Sequence, residues 1–180
     1  MLQLISIIQS KPILSLQTGS KIAVINSPII DPSRLSVIGF YVSSPSDTGN
    51  ILLCMDIREI NRQGIVIDRH DTLVYKQDLV KFKDVINIKY ELAGKRVVTE
   101  SGDKLGKVSD FVVDDKSFFI KKVYSRQSVV KNFSGTGVII DRSQIVEVTD
   151  SKIVVKDATI SKEQTQKQGL LSALLGEQAT

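Results

Sequence analysis

The residues best suited to nucleophilic or metal chemistry are Cys54 and His70, the only cysteine and the only histidine of the chain. Cys54 lies in the apolar run ILLCM, far in sequence from the histidine that could act as its base, so we expect a buried and inert thiol. His70 lies in IDRHDT beside Asp68 and Asp71, where we expect a solvated turn. One Cys and one His exclude a disulfide framework, a Cys-rich zinc site and a two-His metal motif within one chain.

Two carboxylate pairs, Asp114/Asp115 and Asp68/Asp71, have the composition that general acid–base or metal chemistry uses. Both pairs fall in predicted turns, where aspartate is favoured because it bonds the turn backbone. The sequence also has no P-loop, dinucleotide-binding glycine motif or EF-hand spacing. We therefore predict no catalytic, cofactor-binding or metal-binding residues, and hence no enzyme. Two carboxylates facing one cleft would reopen the question.

A basic stretch, residues 116–131, has no acidic residue before Asp141 and is interleaved with phenylalanine and tyrosine. A positive and partly aromatic surface attracts nucleic-acid backbones and other polyanions. Alternatively, strand alternation turns the aromatic side chains inward and disperses the cations. The candidate polyanion or RNA contacts are Lys116, Lys121, Lys122, Arg126 and Lys131.

The tail, residues 159–180, changes from a polar segment to a leucine stripe between Gly169 and Gly176. A helix this short is marginal alone, so three alternatives stay open. The stripe covers a patch of its own barrel, binds a partner protein or a membrane surface, or is disordered. The candidate docking residues are Leu170, Leu171, Leu174 and Leu175.

An internal repeat organises the rest of the chain. With a single one-residue gap, residues 10–42 align with residues 94–125. The alignment pairs Lys11 with Lys95, Gly19 with Gly102, Lys21 with Lys104, Asp31 with Asp114 and Tyr41 with Tyr124. Further on, LLCMDIREI aligns with GVIIDRSQI, which places Asp56 on Asp141. The chain is therefore expected to hold two copies of one unit.

Short segments rich in Ile, Val and Leu and bounded by turn residues predict β-strands in both copies. They lie near 12–17, 22–30, 35–43, 51–55 and 64–68, then near 95–99, 105–113, 118–125, 136–140 and 152–156. DIREI (56–60) and DRSQI (141–145) predict helical turns with Asp as the N-cap. Residues 78–86 predict a helix and residues 87–92 a strand, together forming a packed connection.

GDKLGKVSDFVVDD (102–115), with the later FFIKKVY and IIDRSQIVEV, resembles the PRC-barrel domain. This domain is named after the photosynthetic reaction-centre H subunit and also occurs in a ribosome-maturation factor. In the first copy, Ala23 stands where the second copy has Gly106, and Pro28 interrupts a strand. The resemblance implies small β-barrels without a shared active site, acting as assembly or docking modules.

The predicted fold is mainly β, with two tandem small PRC-type barrels and short connecting and C-terminal helices. The expected division is residues 1–92, residues 93–158 and the tail. We expect a non-catalytic interaction module that presents barrel surfaces to a protein partner; the alternative is an RNA- or ribosome-associated maturation factor using residues 116–131. Neither a signal peptide nor a membrane span is predicted, so the expected location is the cytoplasm.

Overall fold

Residues 1–45, 49–126 and 137–158 are described in a computed structural model of the protein. Within these ranges the chain is mainly β and forms two sheets joined by short helices. The predicted fold class, mainly β with two small barrel-like units and a helical connection, is confirmed. The predicted C-terminal helix lies outside the described residues.

The first sheet is built almost entirely from consecutive hairpins. Strand β1 (Leu2–Leu4) and the one-turn helix α1 (Ile5–Ile8) precede it. Its six strands are β2 (Pro12–Ser15), β3 (Ser20–Asp31), β4 (Ser36–Ser43), β5 (Ile51–Leu53), β6 (Ile57–Ile60) and β7 (Ile65–Ile67). They lie in the order β5-β4-β3-β2-β7-β6, and only the β2–β7 pair is parallel. We call this sheet, with its loops, the first lobe.

The second sheet repeats this order. Its strands are β8 (Arg96–Thr99), β9 (Lys104–Asp114), β10 (Ile120–Arg126), β11 (Val138–Asp141), β12 (Ile145–Val148) and β13 (Lys152–Val155). They lie in the order β11-β10-β9-β8-β13-β12, with β8 and β13 parallel. Strand β1 joins this sheet by pairing with residues 112–114 of β9, although its sequence precedes the first lobe. We call the seven strands and their loops the second lobe.

The connection between the lobes is helical. It contains 3-10 helices at His70–Thr72, Lys76–Asp78 and Val80–Phe82, then α2 (Lys83–Ile88). The helix predicted over residues 78–86 is thus only partly present: α2 begins at Lys83 and ends at Ile88, and 3-10 helices precede it. The strand predicted over residues 87–92 is wrong, because α2 continues to Ile88 and the chain leaves it through Lys89 at φ +50°. Tyr90 and Leu92 are buried on either side of exposed Glu91, in an irregular segment, and both belong to the main core.

The two predicted helical turns have different outcomes. In the second lobe, a 3-10 helix spans Arg142–Gln144 with Asp141 as its N-cap, as predicted. The Asp141 N–H donates to Gln144 Oε1 at 2.8 Å, which completes a capping box. In the first lobe the 3-10 helix is Cys54–Asp56, and the following residues form β6 instead. The predicted helical turn at DIREI is therefore wrong, because β6 gains a ladder against β7.

One apolar core runs through both lobes. It includes fully buried side chains of the first sheet, such as Ile13 and Phe40, and of the second, such as Ile120 and Ile153. A smaller cluster lies under the connection and joins Leu79 and Ile86 to strands β3 and β5, among others. The continuity of the main core makes the lobe junction part of the folded interior.

Candidate interaction site

The lobes meet through two reciprocal backbone hydrogen bonds. The Val37 N–H donates to the Phe118 carbonyl, and the Ile120 N–H donates to the Leu35 carbonyl, both at 2.9 Å. Leu35 and Phe118 hold matching positions in the repeat, as do Val37 and Ile120. Exchanging the lobes therefore exchanges the two bonds, so the junction has an approximate twofold symmetry. Isologous contacts of this kind usually join two copies of one surface.

The junction turns are formed by an aspartate four residues before a residue in the left-handed region. In the first lobe, Asp31 Oδ1 accepts hydrogen bonds from the backbone and hydroxyl of Ser33, and Leu35 has φ +46°. In the second, Asp114 Oδ1 accepts from the backbone and hydroxyl of Ser117, and Phe118 has φ +54°. Leu35 and Phe118 are both buried, so burial of their side chains offsets an unfavourable backbone conformation.

Ionisation of Asp114 makes the stability of this turn depend on pH. The hydrogen bonds from the Ser117 N–H and hydroxyl hold the pKa of Asp114 below its ordinary value of 3.8. A depressed carboxyl pKa favours the folded state above the unfolded pKa, and the benefit is lost as pH falls through the folded pKa. As the pH is lowered below about 4, we expect the melting temperature to decrease less steeply in Asp114→Asn than in the unmodified protein. Thermal melts between pH 2.5 and 7 measure this, and parallel curves for the two proteins would contradict it.

Arg142 ties the second lobe to the first. Its guanidinium donates to the Leu35 carbonyl at 2.7 Å, to the Arg34 carbonyl at 2.6 Å and to the Ile120 carbonyl at 3.3 Å. It also lies over the Phe119 ring, with Cζ 5.0 Å from the ring centroid. Sequence reasoning missed this role, because the repeat alignment pointed to Asp141 and not to the residue after it.

A cleft of about 640 Å³ is lined by residues of both lobes. Its walls are formed by α1, residues 27–30 of β3, residues 85–86 of α2, residues 89–93 after α2, and residues 109–111 of β9. The pairing of β3 with β2 ends at Val24, so the later part of this β3 edge faces the cleft. This position agrees with the edge or bulge that Pro28 predicts. In the second lobe, the corresponding edge of β9 is paired with β1.

The polar groups of the cleft are held in place. Asp110 accepts a hydrogen bond from the Ser6 hydroxyl at 2.5 Å and one from the Phe111 N–H at 2.8 Å. Burial, with a smaller contribution from the charge of Asp150, raises the pKa of Tyr90 to about 12. The Tyr90 phenol is therefore neutral at physiological pH, and the Lys95 ammonium lies 4.4 Å from its ring centroid. Charges of both signs line the cleft: Lys76, Lys89, Glu91 and Asp110.

The residues of the predicted basic stretch lie in different places. Lys116 is in the junction turn, whereas Arg126 is at the opposite end of β10. Lys121 Nζ lies 5.9 Å from the Phe119 ring centroid, and Lys122 Nζ lies 3.6 Å from a carboxylate oxygen of Asp141. Lys131 lies outside the described residues, as do the leucines predicted to dock the tail: Leu170, Leu171, Leu174 and Leu175.

Cys54, His70 and the aspartates of the two carboxylate pairs are buried or have hydrogen-bond or ion-pair partners. Cys54 is buried, and burial raises the pKa of its thiol well above the ordinary value. His70 is exposed, with Nδ1 2.9 Å from Gln17 Oε1. Asp68 and Asp71 form ion pairs with neighbouring arginines, and Asp115 pairs with the amino group of Met1.

Within the described ranges, no group of three His, Cys, Asp or Glu side chains is placed to hold a metal ion. No helix there has the length and apolar character needed to cross a membrane.

Comparison with known proteins gives a match that covers the second sheet apart from β1. No curated protein matches the chain. The family model of the PRC-barrel domain matches residues 88–159, which extend from the end of α2 through β8–β13. Domains of this family are general β-barrel modules and are generally non-catalytic. The chain thus contains a PRC-barrel domain at residues 88–159.

Proposed function

We propose that the protein is a non-catalytic interaction module that receives a protein partner in the cleft between its lobes. The observation that carries this proposal is the cleft itself, about 640 Å³ in volume and walled by both lobes. A concave site with apolar walls and a few fixed polar groups is the usual form of a binding site. The mixed charges of the cleft suit the surface of a protein better than a uniformly charged ligand.

We also propose that residues 1–92 are a first, divergent PRC-barrel-like domain that includes the connecting helix, and that residues 93–158 are the second such domain. The identical strand order supports this division. A register shift also interrupts β2–β3 between Ile13 and Leu14 and β8–β9 between Val97 and Val98, at matching positions. Strand β1 is the exception to the division, since it completes the sheet of the other lobe. Residues 159–180 are the proposed tail.

Site-specific photocrosslinking in cells of the source organism tests the proposed partner site. A photoreactive phenylalanine analogue at Val85, which lines the cleft, is expected to give discrete protein adducts. The matched control is the same analogue at Leu16, which is 55% exposed and lies outside the cleft-lining residues. Adducts are read by electrophoresis before and after nuclease treatment.

The adducts at Val85 should survive nuclease and be absent at Leu16. Equal labelling at both positions would show that contact is nonspecific, and the absence of adducts at Val85 would contradict a partner in the cleft. Adducts that disappear with nuclease would instead favour the RNA-associated role.

A further inference from the structure

Four basic residues form a continuous row across the second sheet. Lys152 of β13 is the register partner of Arg96 of β8, which is the partner of Lys107 of β9. Lys107 is in turn the partner of Arg126 of β10. Directly opposed residues of neighbouring strands share one face of a sheet. We call these four residues the basic row; with strands about 4.8 Å apart, it is about 14 Å long.

The basic row lies on the outer face of the sheet. The residues next to it in the strands, including Val97, Val108 and Ile153, are buried in the core. Arg96, Lys107 and Arg126 are exposed, and Lys152 is half-buried. Within the described ranges, none of the four forms an ion pair. Like charges directly opposite each other destabilise a sheet. The row concentrates four cations on one face, and Glu100 and Glu147 line the same surface depression as Arg96 and Lys152.

The first lobe provides an internal comparison. At the matching positions, Pro12 pairs with Val24, and Val24 pairs with Ser43. Gly64, which matches Lys152, lies beside Pro12. All four positions are uncharged in the first lobe and basic in the second, on the same strand framework. The basic row is therefore not a requirement of the fold.

We propose that the basic row binds the phosphate backbone of a single-stranded nucleic acid. Arginine and lysine side chains supply the contacts to phosphate that dominate such binding. Tyr124 supports this choice over an acidic protein, because this half-buried aromatic residue lies two residues before Arg126 on β10. Its register partners are Ile139, which is 52% exposed, and Asp110. An aromatic side chain beside a cationic row is the arrangement on which unpaired bases stack.

Fluorescence anisotropy with a labelled 20-nucleotide oligouridylate tests the proposal on the full chain. The row variant is Arg96→Gln/Lys107→Gln/Lys152→Gln, and the control is Lys21→Gln/Arg62→Gln/Lys83→Gln, which removes the same charge from exposed positions elsewhere. We expect the row variant to lose at least tenfold in affinity and the control less than twofold. The slope of log K against log salt should fall by about 2 in the row variant, since each phosphate contact on a single strand contributes about 0.7.

Two further measurements separate the site from its alternatives. Lys107→Arg/Lys152→Arg keeps the charge and should keep the affinity. Lys116→Gln/Lys121→Gln/Lys122→Gln tests the stretch that the sequence singles out and should lose less than the row variant. Equal losses in the row variant and the control, no binding of oligouridylate at low salt, or tighter binding of polyglutamate than of oligouridylate would each overturn the proposal.

Discussion

Replacing Phe118 by alanine is expected to destabilise the protein by about 3–5 kcal/mol, the usual cost of removing a buried phenylalanine. The side chain is 6% exposed and belongs to the core shared by both lobes. Its carbonyl also accepts the Val37 N–H across the junction. We therefore expect the loss to appear in both lobes at once. Urea unfolding followed by circular dichroism measures the free energy, and amide exchange at Ile25 and Val108 reports each lobe.

Phe82→Ala is the matched control for this variant. Phe82 is half-buried and packs against the smaller cluster beneath the connection, away from the junction. Its removal should accelerate exchange in the first lobe more than in the second. If Phe118→Ala accelerated exchange at Val108 and left Ile25 unchanged, the lobes would be energetically independent and the junction would be only a contact.

Interdependence of the lobes has a consequence for the cleft. Each lobe alone is small enough for burial of its own surface to be marginal. The shared core and the pairing of β1 with β9 of the second sheet fix the lobes relative to each other. Because cleft walls come from both lobes, this rigidity preorganises the cleft, which lowers the entropic cost of binding.

The strands were predictable because their signal is local. Alternating apolar side chains and turn residues placed ten of the eleven predicted strands close to observed ones, the exception being residues 87–92. The short strands β1, β6 and β12 were not predicted. The first part of the repeat alignment also has the correct register. It aligns Leu14 with Val98 and Lys21 with Lys104, and in the structure Leu14 pairs with Lys21 just as Val98 pairs with Lys104.

The second part of the repeat alignment was three residues out of register. Asp56 matches Gln144 rather than Asp141, because Ile57 and Ile145 begin corresponding strands. Matching the two aspartates produced the wrong register, because the N-cap residue is Leu53 in the first lobe and Asp141 in the second. Two identical residues are therefore weak evidence that their positions correspond, because 3-10 helices of the same length can have different N-cap residues.

The candidate sites depend on contacts between distant residues, which local patterns do not encode. The basic row joins four strands, and finding it requires the register of three strand pairs. The predicted stretch 116–131 contains one of its members, Arg126. A contiguous run of cations along a strand spreads over two faces, whereas a row across strands gathers its charge on one.

Arg142→Ala is expected to lower the free energy of unfolding by about 2 kcal/mol, because hydrogen bonds from a charged donor contribute more than neutral ones. The guanidinium reaches the Leu35 and Arg34 carbonyls of the first lobe and the Ile120 carbonyl of the second. Lysine offers a single ammonium instead of a planar fork, so Arg142→Lys should recover only part of the loss. Urea unfolding of the three proteins measures the series.

Arg62→Ala is the control for charge, since this arginine is exposed and outside the junction. A surface substitution of this kind changes stability by less than about 0.5 kcal/mol. If Arg142→Ala were equally mild, the carbonyls of the junction would be adequately satisfied by water, and the two reciprocal backbone bonds with the shared core would hold the lobes together unaided. If Arg142→Lys retained full stability, charge alone and not the forked geometry would account for the contribution of Arg142.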